Sequence, residues 1–335
     1  MLFGRQAERS VPKRCLLRFR NAFKMLFANF GNAYKILLYR LIVLAVFVLI
    51  GLACLYNNFN SILQESRALE LITSGWDVLK SVFTTLEPEA MAEARAAFAE
   101  NIAATQAYFA QNMSKVYVLL SVTVVLYLAC SFFMGLSNYA IGELTNDHMS
   151  SMSHPSFVVS LFKNLGKACQ FSLLDVLFSF LFFLAGFGVS LLIFLFAFED
   201  VPLLAVALSV LVFILVLSLK LSFLSGFMPA MIADGLPVGK ALKKSFEIPE
   251  KQFGRLYSGY LVYCLVVLYL NLSFTIFTFF VGLILTLPLT FFFLVNMQFV
   301  NYYTLEKKKY YVTFDEKVIP KELREDESIL KDMDL

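Results

Sequence analysis

The chain has 335 residues, of which 59% are hydrophobic and 16% are charged, and its formal net charge is +3. Soluble domains hold about 45–50% apolar residues, because their surfaces must be wetted by polar groups. A chain with 37 phenylalanines cannot hide its apolar side chains in a soluble core. The composition therefore excludes an ordinary soluble domain and predicts an integral membrane protein.

Several apolar runs are long enough for a membrane-spanning helix, which needs roughly 20 residues to cross about 30 Å of hydrocarbon. Single spans are predicted at residues 37–56, 116–141, 171–198 and 203–228. The run 256–300 is long enough for two helices joined by a turn near 275–282. Because backbone groups in lipid must be satisfied within their own segment, we predict an all-α polytopic membrane helix bundle with about six transmembrane helices.

The basic residues predict the orientation of these spans, since they favour the cytoplasmic side. Residues 1–40 hold nine lysines and arginines against one acid, and further basic residues lie in 229–255 and 307–309. By contrast, residues 57–115 hold seven acids and four bases, and Glu199 and Asp200 form an acidic turn. We predict a multi-pass protein of the plasma membrane with both termini in the cytoplasm and the first apolar run retained as an anchor.

The sequence repeats the motif L-F-x-N-[F/L]-G-x-A at residues 26–33 and 161–168, each time before an outward-going span. A second match aligns two sets of residues at the same offsets: Ser131, Phe132, Gly135 and Ile141 with Ser222, Phe223, Gly226 and Ile232. A fainter third copy starts at Ala241. Such a period predicts three helical hairpins, and chance similarity between lipid-biased stretches is the alternative.

Each hairpin is predicted to follow an amphipathic cytoplasmic helix, which we call its lead-in helix. In residues 18–35 basic side chains alternate with aromatic ones at helical spacing, a pattern typical of helices that lie among anionic headgroups of the inner leaflet. Packing on the bundle is the alternative. Gly31 and Gly166 are expected to mark the bends into the spans.

The hairpins divide the chain into regions with different predicted roles. These are a basic amphipathic segment (1–36), a first hairpin (37–141) with an extracytoplasmic insertion (57–115), a second (142–228) and a third (229–300) hairpin with their lead-in helices, and a charged cytoplasmic tail (301–335).

The insertion 57–115 is predicted to be a helical pair that extends the first two spans out of the membrane. One apolar stripe consists of Phe98, Ile102, Phe109 and Met113. The facing set consists of Ile62, Leu69, Ile72, Trp76, Leu79 and Phe83. The pair either docks a protein partner or packs on itself as a cap.

Arg40, Asp175 and Lys220 lie inside predicted spans, where ionisable residues are costly and usually functional. Asp175 and Lys220 belong to adjacent antiparallel helices at similar depth, so we expect a salt bridge between them with Arg40 as a neighbour. The cluster is interpreted either as a polar, anion-attracting vestibule or as an interhelical staple with snorkelling basic side chains.

The sequence contains no recognisable catalytic or metal-binding motif. His148 and His154 share a predicted loop with Glu143 and Asp147 but lack the rigid third ligand of a metal site. The cysteines are scattered, and the chain has neither a phosphate-binding glycine loop nor a nucleophile elbow. We predict no enzyme activity, no cofactor or metal, and no nucleic-acid partner.

The motif N-L-G-K-A at 164–168, and A-L-K-K-S-F at 241–246 with Gln252 and Phe253, resemble poorly characterised six-helix membrane proteins of Gram-positive bacteria. More distantly, they resemble the membrane domain of some glycerophosphodiester phosphodiesterases. The resemblance implies a helical bundle in a bacterial plasma membrane. It carries over no catalytic residues, because the soluble phosphodiesterase domain is absent from this sequence.

Two functions of different class follow. The first is a non-catalytic permease-like or transport-accessory component that uses Arg40, Asp175 and Lys220. The second is a membrane scaffold or regulator that holds partners through the insertion 57–115 and the charged tails.

Overall fold

Helices follow one another along almost all of the chain. The computed structural model describes residues 11–84, 88–197, 202–278, 281–313 and 315–320. The helices there are α1 (Val11–Ala28), α2 (Phe30–Glu65), α3 (Ala68–Thr84), α4 (Pro88–Gln111), α5 (Met113–Ser151), α6 (Phe157–Lys163), α7 (Leu165–Ala197), α8 (Pro202–Leu224), α9 (Phe227–Ala233), α10 (Val238–Thr278) and α11 (Val281–Leu305). An antiparallel hairpin of β1 (Tyr310–Thr313) and β2 (Glu316–Val318) follows them.

Within the described residues, six helices are long and apolar enough to cross a membrane. They are Phe30–Glu65, Met113–Ser151, Leu165–Phe196, Leu204–Ala233, Gln252–Thr278 and Val281–Leu305. The predicted all-α polytopic bundle is therefore confirmed. At 1.5 Å per residue, α2 is about 54 Å long, against about 30 Å of hydrocarbon. Such helices continue beyond the apolar runs that identified them.

The chain forms two compact units. The first draws on residues 1–42, 132–179 and 217–335, and the second on 43–131 and 180–216. In the first unit α1 packs against α11 and β1. The largest fully buried side chains of the described residues all belong to this unit, and Tyr139, Tyr260, Tyr302, Phe292 and Phe299 are among them.

The bends ahead of α2 and α7 lie at asparagines. Asn29 separates α1 from α2, and Asn164 separates α6 from α7. Gly31 and Gly166 lie inside the helices, so the predicted bend positions are wrong by two residues. An asparagine side chain competes with the helix for backbone partners, and Asn29 Nδ2 donates to the carbonyl oxygen of Met25 at 3.1 Å.

Tyr310–Thr313 and Glu316–Val318 form a β hairpin inside the predicted charged tail 301–335. The sequence predicts that this tail begins with an interfacial anchor at Lys307–Tyr311. Tyr310 pairs with Val318, and both Tyr310 and Val312 are buried. The side-chain amide of Asn21 donates to the Tyr310 hydroxyl at 3.2 Å, which joins β1 to α1. The beginning of the predicted tail is thus folded onto α1. Residues 321–335 with their acidic stretch lie outside the described part, as does the predicted acidic turn at Glu199 and Asp200.

In the second unit, α3 and α4 form the predicted helical pair, and the pair is antiparallel. Thr105 donates to the carbonyl oxygen of Ser66 at 3.0 Å, and Asn101 donates to Ser74 Oγ at 3.2 Å. The apolar core of the pair contains Val78, Phe98 and Ala205, with Leu71, Ala94, Ile102, Phe194 and Val206 packed against it. The pair thus packs against α7 and α8.

The prediction named the wrong side of α3 as the side that packs. Leu69, Ile72 and Trp76 are exposed, whereas Leu71 and Val78 face the core. Apolar residues occupy two sides of α3, so periodicity alone could not select the side that packs. The side chains of Leu79 and Phe83, the other predicted members, lie outside the described part.

Candidate functional site

Arg40 is the most buried of the three charges predicted inside the spans, with 7% of its surface exposed. It lies about 15 Å along α2 from the first residue of that helix. Its Nε donates to Ser137 Oγ at 3.0 Å and its Nη2 donates to Asn138 Oδ1 at 2.6 Å, both on α5. The guanidinium carbon is 4.9 Å from the centre of the Phe291 ring, a cation–π contact with α11.

The partners of Arg40 are all neutral. Within the described part of the chain, no carboxylate lies within ion-pair distance of its guanidinium. A guanidinium has five N–H donors and stays charged in proteins. Burying such a charge without a counter-charge is costly. Two of these donors are used by Ser137 and Asn138. The remaining N–H groups have the chemistry to bind an anionic oxygen group, such as a phosphate or a carboxylate.

Asp175 and Lys220 form the predicted salt bridge. Lys220 Nζ lies 3.3 Å from Asp175 Oδ1 and donates to Ser179 Oγ at 2.5 Å. The side chains of Asp175 and Lys220 are 23% and 15% exposed. This pair joins α7 to α8, as an interhelical staple does.

The structure thus brings two of the three predicted charges together. Arg40 has its contacts on α5 and α11, and neither Asp175 nor Lys220 is among its partners. The predicted three-membered cluster consists of one ion pair and one separate buried cation.

A small, shallow cleft lies where α1, α10 and α11 meet. It opens to the surroundings and is lined by Arg18, Phe19, Arg255, Gly259, Met297 and Asn301. Arg18 Nη1 donates to Asn301 Oδ1 at 3.1 Å, and Asn301 Nδ2 donates to the Tyr260 hydroxyl at 3.2 Å. These bonds fix α1 against the two helices of the third hairpin.

A charged cluster that sequence reasoning missed joins α9, α10 and the residues after α11. Asp234 Oδ2 accepts hydrogen bonds from Lys244 at 2.7 Å and from the Tyr302 hydroxyl at 2.6 Å, and its Oδ1 accepts one from Lys308. Lys244 also pairs with Glu306 at 2.8 Å. We call Asp234, Lys244, Tyr302, Glu306 and Lys308 the terminal clamp.

The terminal clamp changes the acidity of its members. Burial by itself would raise the pKa of Asp234, but hydrogen bonds from Lys244, Lys308 and Tyr302 outweigh it and lower this pKa to about 2. Burial would lower the pKa of Lys244, but its bonds to Asp234 and Glu306 outweigh that effect and raise it. Asp234 and Lys244 are therefore both charged at neutral pH.

His148 lies on α5, not in the predicted loop, because α5 continues to Ser151. Its Nε2 is 3.1 Å from the carbonyl oxygen of Val312, and its ring centre is 5.0 Å from that of His154. His154 Nδ1 lies 3.3 Å from Asn29 Oδ1. The histidines thus connect α5, β1 and the bend ahead of α2. Among the described residues, no three His, Cys, Asp or Glu side chains come together as a metal site would require.

Comparison of the chain with protein-family models, with curated proteins and with solved structures finds no match.

Proposed function

We propose that this chain is a non-catalytic multi-pass protein of a bacterial plasma membrane, with both termini in the cytoplasm, which acts as a transport-accessory component by holding an anionic group at Arg40. The excess of basic residues in 1–40 supports the orientation. In this orientation Arg40 lies in the cytoplasmic part of the first span. A relation to six-helix membrane proteins of Gram-positive bacteria belongs to the same proposal.

One observation carries the proposal: Arg40 is buried, and its partners among the described residues are Ser137, Asn138 and the Phe291 ring. A cation that only stabilised the bundle would be cheaper to bury beside a carboxylate, as Lys220 is beside Asp175. The permease-like alternative would use the charges of Asp175 and Lys220 together with that of Arg40. Because they neutralise each other, an anion site at Arg40 alone fits an accessory role better.

The lead-in helix α1 is suited to contact anionic lipids, and these lipids are one source of an anion for Arg40. Phe23 and Phe27 on α1 are exposed, whereas Lys24 pairs with Glu316. An exposed aromatic face on a basic helix is suited to the headgroup layer of an anionic membrane. Phosphate groups of lipids and dissolved phosphate share the chemistry that a guanidinium recognises.

The experiment measures anion binding by the purified protein and by Arg40→Met. One arm counts phosphatidylglycerol molecules retained in native mass spectra, with phosphatidylcholine as the neutral lipid. The other arm measures inorganic phosphate binding by calorimetry. A charge-assisted contact contributes about 1.5–3 kcal/mol, so Arg40→Met should weaken binding about 10- to 100-fold in the arm that contains the true ligand.

Two further variants make this result specific. Arg40→Lys keeps the charge and should retain part of the binding. Lys243→Met removes a charge from an exposed side chain on α10 and should leave binding unchanged. If Arg40→Met stays folded and binds both anions as the unchanged protein does, the anion site is refuted.

The second candidate function is a membrane scaffold or regulator, which the terminal clamp favours. Lys308 of the clamp and Glu316 of β2, which pairs with Lys24 of α1, fix the segment that leads into the acidic residues 321–335. A basic protein partner could then find this tail at a defined place. Deleting residues 321–335 should abolish such an interaction and leave anion binding unchanged, so the two functions are separable.

A further inference from the structure

The exposed side of α3 carries three large apolar side chains in one stripe. Leu69 is 54% exposed, Ile72 is 65% exposed and Trp76 is 67% exposed. At about 100° per residue they fall within an arc of roughly 60° around the helix axis. We call Leu69, Ile72 and Trp76 the tryptophan stripe. Exposing three such side chains to water is unfavourable, because removing their apolar surface from water lowers the free energy.

The acidic residues of α3 lie on a different side of the helix. Glu70 and Asp77 are at least about 80° away from every member of the tryptophan stripe. Arg67, which precedes α3, pairs with Glu70 at 3.7 Å and with Glu100 of α4 at 3.6 Å. The acidic side of α3 is thus separate from an apolar stripe that does not face its own core, as in interfacial helices. Lys80, one turn beyond Trp76 and exposed, lies about 40° around the helix from Trp76, and a lysine at such a place reaches toward the headgroups.

The contacts of α3 fix its depth relative to the second hairpin. Val78 of α3, Phe98 of α4 and Ala205 of α8 form one buried cluster, against which Phe194 of α7 packs. Phe194 lies three residues before the end of α7, and Ala205 lies three residues after the start of α8. These contacts are about one turn inside the helix ends. The pair of α3 and α4 therefore packs at this end of the hairpin, against its two membrane-spanning helices.

The apolar surface of α7 continues to that same level. Leu195 is 60% exposed and Phe196 is 81% exposed, and both belong to a membrane-spanning helix. Hydrocarbon or the adjoining headgroup layer must cover them, since exposed apolar surface of this size is costly in water. A helix packed beside Phe194 is then at the edge of the bilayer, where tryptophan is enriched.

We infer that the tryptophan stripe inserts into the lipid at this edge, so that α3 anchors the insertion 57–115 to the leaflet surface. In the orientation proposed above, this is the extracytoplasmic leaflet. The partner of the stripe is the lipid itself, because the stripe is continuous in depth with the lipid-exposed end of α7. The inference is independent of the anion site at Arg40.

The chain contains one tryptophan, so its fluorescence reports directly on the stripe. The intact protein is placed in lipid nanodiscs, which leave both membrane faces open to the buffer. Lipids with brominated acyl chains should quench Trp76 strongly, and dissolved iodide should quench it weakly. The emission should also be blue-shifted relative to that of tryptophan in water.

A matched control moves the tryptophan by one residue, in the double variant Trp76→Phe with Asp77→Trp. This side chain lies about 100° around the helix, on the charged side, and should be quenched by iodide and little by brominated lipid. Strong iodide quenching of Trp76 itself would overturn the inference. Protection of Trp76 from both quenchers that disappears when the protein is diluted in lipid would assign the stripe to a second copy of the chain, which also overturns it.

Discussion

Lys220 lies 3.3 Å from Asp175, and this ion pair joins the two long helices of the second hairpin. Replacing one partner leaves the other charge poorly compensated in a membrane-spanning segment. We therefore expect Lys220→Met and Asp175→Leu each to lower the free energy of unfolding by about 3 kcal/mol. The measurement is thermal unfolding of each purified variant in the same detergent.

The double variant with both substitutions replaces the pair by apolar side chains. Such replacements are often neutral or stabilising, so most of the lost stability should return. A double variant as unstable as the single ones would mean that Lys220 and Asp175 contribute through other partners. A double variant that is stable but no longer binds the anion would return these charges to the functional site.

Asp234 makes the contribution of the terminal clamp to stability dependent on pH. Its pKa is about 2, below its ordinary value of 3.8, so the clamp stabilises the fold fully above about pH 4. This contribution is lost as pH falls from about 4 to about 2, because Asp234 takes up a proton earlier in the unfolded chain. At neutral pH, Asp234→Asn should cost about 2 kcal/mol.

Thermal unfolding of Asp234→Asn and the unchanged protein between pH 7 and pH 2 tests this dependence. The difference between them should shrink below about pH 4. Glu247→Gln is the control, because its pair with Lys243 is exposed and contributes little. A difference that stays constant down to pH 2 would exclude the clamp as its origin.

Gly135 allows α5 and α7 to approach closely. A Cβ added there would lie 2.8 Å from Ser172 Oγ and 3.2 Å from Ser172 Cα. Because the backbone of α7 cannot yield as a side chain does, Gly135→Ala should cost about 1–3 kcal/mol. A Cβ on Gly188 would meet no atom within 4 Å, so Gly188→Ala should be neutral or stabilising by up to about 1 kcal/mol. Equal unfolding temperatures for the two variants would contradict the close approach.

The proposed orientation places residue 77 outside the cell and residue 309 inside. Both side chains are exposed. In a background without the native cysteines, Asp77→Cys should react with a membrane-impermeant maleimide in intact cells. Lys309→Cys should react only after the membrane is opened. The opposite labelling pattern would invert the topology and place Arg40 near the external surface.

The sequence predicts the spans well, because crossing the hydrocarbon requires a helix of roughly 20 mostly apolar residues, which is easy to recognise. The bends were harder to place. Glycine is the usual signal for a break, but the breaks lie at Asn29 and Asn164. Only comparison of the two copies of the motif could have singled these asparagines out. The salt bridge between Asp175 and Lys220 was predictable, since neighbouring antiparallel helices bring equal depths together.

The terminal clamp could not be predicted, since Asp234 is separated from Lys244 by 10 residues and from Lys308 by 74. No local pattern connects positions that far apart. The β hairpin had a signal, because residues 310–313 are all aromatic or β-branched. Three lysines just before them suggested a membrane-interface anchor instead.

The bonds from α1 to α11 and β1 also order events during synthesis. Arg18 and Asn301 are 283 residues apart, and Asn21 and Tyr310 are 289 residues apart. The ribosome adds about 5–20 residues per second, so α1 waits at least about 14 seconds for its partners. During that interval the residues of α1 that will contact α11 and β1 have neither partner, so α1 reaches its final packing only when synthesis is nearly finished.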